Sequence, residues 1–275
     1  MMENNEMKIG AIYAGFSYLL WGILPVYWKF LDHVGSEEIL ANRIFWSFIF
    51  MFFLLAVSGK WRALSQNLKE LVGNKKRLFA LTAASLLIST NWFLYIWAVN
   101  TDQMIEASLG YYINPLVSVL LGMMVLKEKL SKIQYFSFGL AAIGVCIIAF
   151  SYGRFPWIAI TLAVSFGLYG LAKKLLKVDS EIGLTMETMV VTPIAIGYLV
   201  FLTSNGTNAW LNEGIDTLLL LVGAGAATAV PLLYFAKGAQ RIPLSMLGFL
   251  QYIAPTLTLL LGIFVSVNIL WDCSY

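Results

Sequence analysis

The sequence stretch that decides the fold is EASLGYYINPLVSVLLG, from Glu106 to Gly122. It is apolar enough for a membrane helix, yet it opens with a carboxylate and carries an Asn-Pro pair in its middle. A second stretch, MLGFLQYIAPTLTLLLG from Met246 to Gly262, repeats its Tyr, Ile, Pro, Leu-Leu and Gly in the same order. Two such stretches in one chain predict a duplicated membrane-spanning unit.

The composition predicts that the whole chain lies in a membrane. Of its 275 residues 60% are hydrophobic and 12% are charged, and the mean hydropathy is +0.79, which is more apolar surface than one soluble core can bury. A bilayer core about 30 Å thick needs about 20 apolar residues per helical span. Nine such runs occur, over residues 10–31, 37–57, 78–99, 104–126, 132–150, 155–176, 182–203, 215–236 and 242–265.

These spans are expected to be helices, giving an all-α polytopic membrane protein, because the alternation typical of barrel strands is absent. The first run lacks a small-residue cleavage pattern and is interpreted as a retained helix. Cys146 and Cys273 suggest neither a disulfide framework nor a metal site. No cofactor and no nucleic-acid partner is expected. The expected partners are the lipid bilayer and a small-molecule substrate, and the sequence leaves a homodimer open.

The basic residues predict the topology. If the N-terminus is cytoplasmic, the outside loops hold only Arg154, and Lys29 and Arg43 lie within spans. The positive-inside rule then predicts a multi-pass protein of the inner (plasma) membrane with a cytoplasmic N-terminus. The other fifteen of the eighteen basic residues fall in inside loops: Lys8, Lys60, Arg62, Lys69, Lys75, Lys76, Arg77, Lys127, Lys129, Lys132, Lys173, Lys174, Lys177, Lys237 and Arg241.

Two further echoes support the duplication. FSYLLWG (Phe16 to Gly22) resembles VSFGLYG (Val164 to Gly170), and FLYIWA (Phe93 to Ala98) resembles LLYFAK (Leu232 to Lys237). The echoes match the first, third and fourth spans to the sixth, eighth and ninth, so the unit has five helices. Because five is odd, the two units cross the membrane in opposite senses, an inverted repeat typical of secondary transporters. We expect the first repeat over residues 1–150 and the second over 151–275.

Four segments carry a family resemblance: YLLWGILPVYWK (Tyr18 to Lys29), NWFLYIWAVN (Asn91 to Asn100), EASLGYYINPL (Glu106 to Leu116) and LLGMMVLKEKLS (Leu120 to Ser131). They resemble the RarD-type branch of the EamA family, within the drug/metabolite transporter superfamily, and the resemblance covers residues 8 to about 265. It implies a five-plus-five, ten-helix inner-membrane permease. Helices 1 to 4 and 6 to 9 would surround a central cavity, with helices 5 and 10 outside it.

The second half departs from its own repeat near its end. After Gly122 the first half continues through LKEKLS into a fifth span, whereas after Gly262 the sequence reads IFVSVNILWDCSY. We therefore expect nine helices, with helix 10 missing, the second repeat truncated after its fourth helix and the C-terminus outside. A frameshift or an early stop would produce this pattern and would put transport in doubt.

The expected function is secondary-active movement of a small organic metabolite or drug across the inner membrane by alternating access. The alternative is a non-transporting membrane protein, either an inactive truncated chain or a structural one. No phosphate-binding GxxxxGK[ST] loop occurs, and the only histidine is His33. These absences argue against an ATP-driven pump and a zinc protease, so we do not expect an enzyme.

Polar residues of the opening stretch are the first candidates for a substrate path. Glu106, Gly110 and Asn114 follow at four-residue spacing, so one helix face carries a polar strip into the membrane. A functional Glu106 would face the cavity as a proton or cation site. A first-turn acid that complements the helix dipole and reaches water is an equally good interpretation.

Three prolines are expected to break their helices. Pro115 frees the carbonyl of Tyr111, and Pro255 does the same for Gln251 in the matched helix. Such openings require protein or water beside them, which favours a cavity, although a simple packing kink is the alternative. Pro25 in the first span has no counterpart in the sixth.

Arg43 and Glu187 are the most costly residues in the spans, since a central charge costs about 2.5–3.5 kcal/mol on insertion scales. They occupy similar positions in the second and seventh spans. An ion pair between them, or one site for a charged substrate, would explain both. For Arg43, snorkelling to the interface is the alternative.

Aromatic and amide side chains could complete the cavity wall. Asn91 and Trp92 of the third span are candidates, since a buried amide in lipid needs a partner. Tyr252 of the ninth span is a candidate as well. Tyr95, Trp21 and Tyr112 could extend the wall, whereas Trp28, Trp157 and Trp210 are interpreted as interfacial belt residues.

Overall fold

The structure is a computed structural model, and it describes residues 2–101, 103–176 and 178–261. This part of the chain contains eleven helices and no strand. The helices, in chain order, are α1 (Met2–Lys29), α2 (Ser36–Val57), α3 (Trp61–Gly73), α4 (Lys75–Asn100), α5 (Met104–Met124), α6 (Lys132–Ser151), α7 (Trp157–Leu176), α8 (Ser180–Ser204), α9 (Ala209–Asn212), α10 (Ile215–Ala239) and α11 (Leu244–Gln251).

The predicted spans and the all-α fold are confirmed. Within the described residues, nine helical segments are long and apolar enough to cross a membrane. Their bounds differ from the predicted ones by a few residues at most, because polar first turns extend some helices into water; the predicted end of the last span, residue 265, lies outside the described residues. The last segment, Leu244–Leu261, is interrupted by a turn at Tyr252, so that α11 ends at Gln251 and helical turns resume over 253–261.

The helix α3 lies in a segment that the sequence analysis treated as a loop. Leu64 and Leu71 of α3 are buried, and they pack with Leu81 of α4 and Ile182 of α8. The spacing of seven residues places both leucines on one face, while the polar residues between them face away. A short amphipathic helix of this kind rests on the end of the bundle without crossing the membrane.

Two helix pairs form the flanks of the bundle. The helices α2 and α5 each pack against one helix of such a pair and against one further helix. The helix α1 packs against α10, and α7 packs against α4; under the predicted repeat these two pairs correspond. The helix α2 contacts both α8 and α10, while α5 contacts α7 and α11. We refer to the end where α2 ends and α8 begins as the basic end, and to the end where α2 begins as the opposite end. The repeat boundary between residues 150 and 151 stays a prediction.

Close contact between α2 and α10 sets the geometry of the interior. A Cβ atom on Gly225 would lie 2.3 Å from the backbone carbon of Trp46, so only glycine allows the two helices to approach this closely. The Ser47 hydroxyl also donates a 3.0 Å hydrogen bond to the Gly225 carbonyl. One turn further along both helices, the same approach brings Thr228 to Arg43.

The helix α6 lies at the edge of the bundle. It packs on α5 and contains no buried residue, as the resemblance implied for the fifth helix. It begins at a capping box in which Ser131 and Gln134 exchange hydrogen bonds. The interpretation that a tenth helix is missing, together with the outside C-terminus, falls on residues 262–275 and lies outside the described residues.

Candidate functional site

Arg43 lies inside the bundle without an acidic partner. It lies about two turns into α2 from the opposite end. Its Nε donates a 3.0 Å hydrogen bond to Oγ1 of Thr228. Its Cζ lies 4.5 Å from the ring centroid of Trp28 and 5.2 Å from that of Trp92, both within cation–π range. No Asp or Glu of the described residues forms an ion pair with Arg43.

Two tyrosines extend this group toward α4 and α5. Tyr111 packs edge to face on Tyr95, with ring centroids 5.4 Å apart, and both side chains lie in the neighbourhood of Arg43. Tyr111 nevertheless exposes 41% of its surface, and Arg43 is partly exposed. The residues that surround Arg43 and Tyr111 come from α1, α2, α4 and α10. We refer to the group as the aromatic chamber; it consists of Trp28, Arg43, Trp92, Tyr95 and Tyr111.

A packed aromatic cluster lies on the side of the aromatic chamber that faces the basic end of the bundle. Its rings come from α1, α7 and α10, with neighbouring centroids 5.3–6.2 Å apart. Three of its members are essentially inaccessible, so this part of the bundle is tightly packed. Its members are Tyr18, Trp21, Phe166, Tyr169 and Phe235.

Glu187 lies beyond this cluster, and its carboxylate has fixed partners. Its Oε1 accepts a 2.7 Å hydrogen bond from Nζ of Lys173, and its Oε2 accepts one of 3.1 Å from the Tyr169 hydroxyl. The side chains of Lys173 and Glu187 are 4% and 3% exposed. The expected ion pair between Arg43 and Glu187 is therefore wrong. Each residue lies about 10 Å into its helix, but α2 and α8 begin at opposite ends of the bundle.

A group of ion pairs joins α3, α8 and α10 at the basic end. Lys60, just before α3, lies 3.1 Å from Asp179 and 2.8 Å from Glu181. Lys237 of α10 lies 3.1 Å from the other Glu181 oxygen. We refer to these four residues as the latch, because they tie together helices from both halves of the chain at the basic end.

The latch shifts the pKa values of its groups outside the membrane. Hydrogen bonding to Glu181, followed by that to Asp179, raises the pKa of Lys60 above its ordinary value. Burial alone would raise the pKa of Asp179, but hydrogen bonds from Lys60 and from the backbone N–H groups of Ile182 and Glu181 outweigh it. The pKa of Asp179 is therefore lowered, and both groups are charged near neutral pH.

Glu106 holds the beginning of α7 in place. It is 1% exposed, and its Oε1 accepts a 2.7 Å hydrogen bond from the backbone N–H of Ile158, in the first turn of α7. Its Oε2 accepts one of 2.9 Å from the Tyr152 hydroxyl and lies 3.7 Å from Arg154. The carboxylate thus caps a helix N-terminus. This corrects both interpretations made from the sequence, since the carboxylate neither lines a cavity nor reaches water.

Two other carboxylates of the first half cap segments of the second half. Glu38 accepts a 2.8 Å hydrogen bond from the backbone N–H of Ala209. Glu128 accepts hydrogen bonds of 2.7 and 2.8 Å from the backbone N–H groups of Leu244 and Ser245, at the start of α11. We refer to the three contacts of Glu38, Glu106 and Glu128 as the cross-half caps.

The rest of the predicted polar strip lies in the α5–α7 contact. A Cβ atom on Gly110 would lie 3.1 Å from the Ala159 carbonyl oxygen, which shows how closely α7 approaches. Asn114 is buried, and its Oδ1 has no hydrogen-bond partner among the described residues. Asn91 donates to the Leu162 carbonyl at 2.8 Å and to Ser165 at 3.0 Å. The partner that the buried Asn91 amide needs is therefore supplied by α7, and a role of Asn91 in substrate binding stays a prediction.

The prolines differ in what they do to their helices. Pro25 and Pro115 lie inside continuous helices, α1 and α5, so the prediction that they break them is wrong. Pro255 follows the turn that ends α11 at Gln251. Because a proline lacks the N–H that would hold the preceding turn, the break occurs there. Gln251 is buried, and Tyr252 donates a 3.4 Å hydrogen bond to the carbonyl of Tyr112.

Three residues of these sites were not found from the sequence. Lys173 was counted among the loop cations but lies within α7. Trp28 was interpreted as a belt residue but lies under Arg43, and Thr228 drew no attention. A lysine and a glutamate within two turns of a short connection could have revealed the Lys173–Glu187 pair. Among the described residues, no group of three or more His, Cys, Asp or Glu could hold a metal ion.

Residues 8–150 match the EamA-like transporter family. The chain is 52% identical to the uncharacterized transporter YojE of Bacillus subtilis (strain 168), over 96% of this chain and 88% of YojE. It is 41% identical to protein RarD of Escherichia coli (strain K12), over 95% of this chain and 87% of RarD.

A solved crystal structure of another protein supports the fold. It aligns with a TM-score of 0.71 and 19% identity, over 93% of this chain and 88% of the other. The family and the names of these relatives indicate a transporter rather than an enzyme. The sequence matches, together with the nine apolar helices found among the described residues, establish that the chain is a multi-pass membrane protein belonging to the EamA-like transporter family, in its RarD-type branch.

Proposed function

We propose that the chain is a secondary-active transporter that moves a small organic molecule across the plasma membrane by alternating access. The observation that carries the proposal is a partly exposed arginine inside the bundle, on one side of a packed aromatic cluster. A chamber on one side of a packed barrier is the arrangement that alternating access requires.

The chamber has the chemistry of a small-molecule site. Tryptophan and tyrosine rings supply apolar walls, and the Arg43 guanidinium, the Thr228 hydroxyl and the two phenols supply polar groups. Sites for small organic molecules combine mainly apolar walls with a few placed polar groups.

The latch supplies the element that must change between the two states. In the present conformation its ion pairs hold the basic end together. Opening that end requires these pairs to separate, which costs little because they are partly exposed to water. The same substrate site would then face the other side of the membrane.

The orientation and the membrane are part of the proposal. Fifteen of the eighteen basic residues were assigned to inside loops, and those in the latch and around α3 lie at the basic end. The positive-inside rule supports a cytoplasmic basic end and a cytoplasmic N-terminus. In a background with Cys146→Ser and Cys273→Ser, the variant Lys69→Cys should then react with an impermeant maleimide only after cells are permeabilised.

Counterflow in proteoliposomes tests the transport activity. The purified full chain is reconstituted, preloaded in turn with each member of a metabolite panel, and assayed with and without a pH gradient. We expect saturable counterflow for at least one compound. Absence of flux for every compound would support the alternative of a non-transporting chain.

A matched pair of variants tests the latch. Lys60→Gln removes a latch residue, whereas Lys69→Gln changes an exposed lysine of α3 that forms no ion pair among the described residues. We expect Lys60→Gln to change the rate of counterflow and Lys69→Gln to leave it unchanged. Equal rates for both variants and the unmodified chain would argue against the latch as the moving element.

A further inference from the structure

We infer that the substrate of this chain is an organic carboxylate, and that Arg43 binds its carboxylate group within the aromatic chamber. The inference rests on the proposed transport function and adds the class of substrate to it. It starts from the charge of Arg43, which has no counterpart in the part of the chain that the structure describes.

The Arg43 charge is costly to place in a membrane span. A guanidinium inside a membrane bundle is retained at a cost of about 2.5–3.5 kcal/mol on insertion scales, and such residues normally have an acidic partner or a function. The other charged residues buried in the described spans obey this rule: Lys173 and Glu187 pair with each other, Glu106 caps α7, and Glu38 accepts from the backbone N–H of Ala209. Arg43 does neither.

Most N–H donors of the Arg43 guanidinium are free within the described part of the chain. A guanidinium has five N–H donors, and Arg43 uses its Nε toward Thr228. Its Nη atoms form no hydrogen bond with any described residue. The free edge of the guanidinium therefore matches the two oxygens of a carboxylate, which arginine binds through two parallel hydrogen bonds.

The side chains around Arg43 are aromatic rings and hydroxyl groups. The faces of Trp28 and Trp92 hold the guanidinium at 4.5 and 5.2 Å, so its orientation is fixed before a ligand arrives. Tyr95 and Tyr111 add hydroxyl donors near the same charge. All the polar groups of the chamber are therefore cationic or neutral, which favours an anion and disfavours an amine.

A set of matched probes tests the charge preference by direct binding. Phenylacetate, phenylacetamide and phenethylamine share a ring and differ in their polar group; lactate and lactamide form a second pair. The thermal midpoint of the purified chain in nanodiscs is measured with each. We expect the carboxylates to raise the midpoint and the amides and the amine to have no effect. No response to either carboxylate, or an equal response to the amides, would overturn the inference.

Variants of Arg43 assign the binding to this residue. Arg43→Gln should weaken phenylacetate binding about tenfold or more, because it removes a charged bidentate contact. Arg43→Lys should restore part of the affinity, since a lysine keeps the charge but loses the fork. Arg62→Gln, at an exposed position of α3, is the matched control and should bind like the unmodified chain. Unchanged binding by a folded Arg43→Gln variant would overturn the assignment.

Counterflow of the same probes separates the two proposals. Carboxylate binding without flux of any compound contradicts the transport function while supporting the carboxylate site. Flux of neutral or cationic compounds that Arg43→Gln does not alter supports transport and overturns the carboxylate site. Both proposals are supported if carboxylate flux is lost in Arg43→Gln and retained in Arg62→Gln.

Discussion

Arg43 and Glu187 occupy matching positions in the two halves of the chain but have different surroundings. Each lies seven residues after the first residue of its helix, α2 or α8. Glu187 is buried with Lys173 at 2.7 Å, whereas Arg43 has aromatic faces and one hydroxyl around it. The pair formed by Glu187 is therefore structural, and the free charge of Arg43 is available to a ligand. Corresponding positions in a repeat need not share a role.

The comparison between Glu187, which is paired, and Arg43, which has no acidic partner among the described residues, can be tested by stability, and the largest loss is expected at Lys173. Lys173→Met leaves the Glu187 carboxylate buried without its cation, and removal of one partner from a buried pair costs about 3–5 kcal/mol. We expect a much lower thermal midpoint in detergent. The double variant Lys173→Met/Glu187→Leu should recover most of it, because no charge is then stranded. A single variant as stable as the unmodified chain would show that the pair is not structural.

A smaller loss is expected at Glu106, which is paired like Glu187 but through backbone. Glu106→Ala leaves the N–H of Ile158 and the Tyr152 hydroxyl without their acceptor, and a buried group in that state costs about 1–3 kcal/mol. Glu106→Gln retains one carbonyl acceptor and should lose less stability. If Glu106→Ala were fully stable but failed in counterflow, the interpretation of Glu106 as a pathway residue would return.

The latch should contribute still less, because its charges are partly exposed. Lys60→Gln is expected to lower the free energy of unfolding by about 0.2–1 kcal/mol. The contribution should have a defined pH window. The pKa of Asp179 is lowered by folding, so its share is complete above the ordinary value of about 4 and is lost as the pH falls.

The pKa of Lys60 is raised by folding, so its share is complete below the ordinary value of about 10 and is lost above it. The difference in thermal midpoint between Lys60→Gln and the unmodified chain should therefore be constant from about pH 5 to pH 9. It should shrink on acidification below that window. A difference that changes steeply near pH 7 would contradict this account.

The smallest effect on stability is expected at Arg43 itself. Arg43→Met removes a charge that has no acidic partner among the described residues, so it leaves no stranded carboxylate. We expect a thermal midpoint equal to or slightly above that of the unmodified chain, since the relief of a costly charge offsets the lost hydrogen bond to Thr228. A loss of thermal midpoint as large as that of Lys173→Met would show that Arg43, like Glu187, has a partner within the chain.

The sequence was sufficient for the spans because each span is decided by its own hydropathy. It was not sufficient for α3, whose alternating polar residues lower the hydropathy of a segment that still buries Leu64 and Leu71. Helical spacing placed Glu106 and Gly110 correctly on one face. It could not tell that α7, rather than water or substrate, covers that face.

The pairing of charges was harder to predict for the same reason. Sequence identified Arg43 and Glu187 as costly residues, and both lie in the interior. Whether each of them has a charged partner depends on the relative directions of α2 and α8 and on how far Lys173 lies inside α7. These are properties of the packed bundle. The aromatic neighbours of Arg43 were equally hidden, since Trp28 occurs where an interfacial tryptophan is also expected.

The cross-half caps have a consequence for the biogenesis of the protein. Each cap joins residues that are far apart in the chain, 52, 116 or 171 positions for Glu106, Glu128 and Glu38. At the usual synthesis rate of about 5–20 residues per second, Glu38 enters the membrane about 10 to 30 s before its backbone donor exists. The first half must therefore wait with carboxylates solvated by water or neutralised by protons. Its final packing is completed only when the ribosome has delivered the second half.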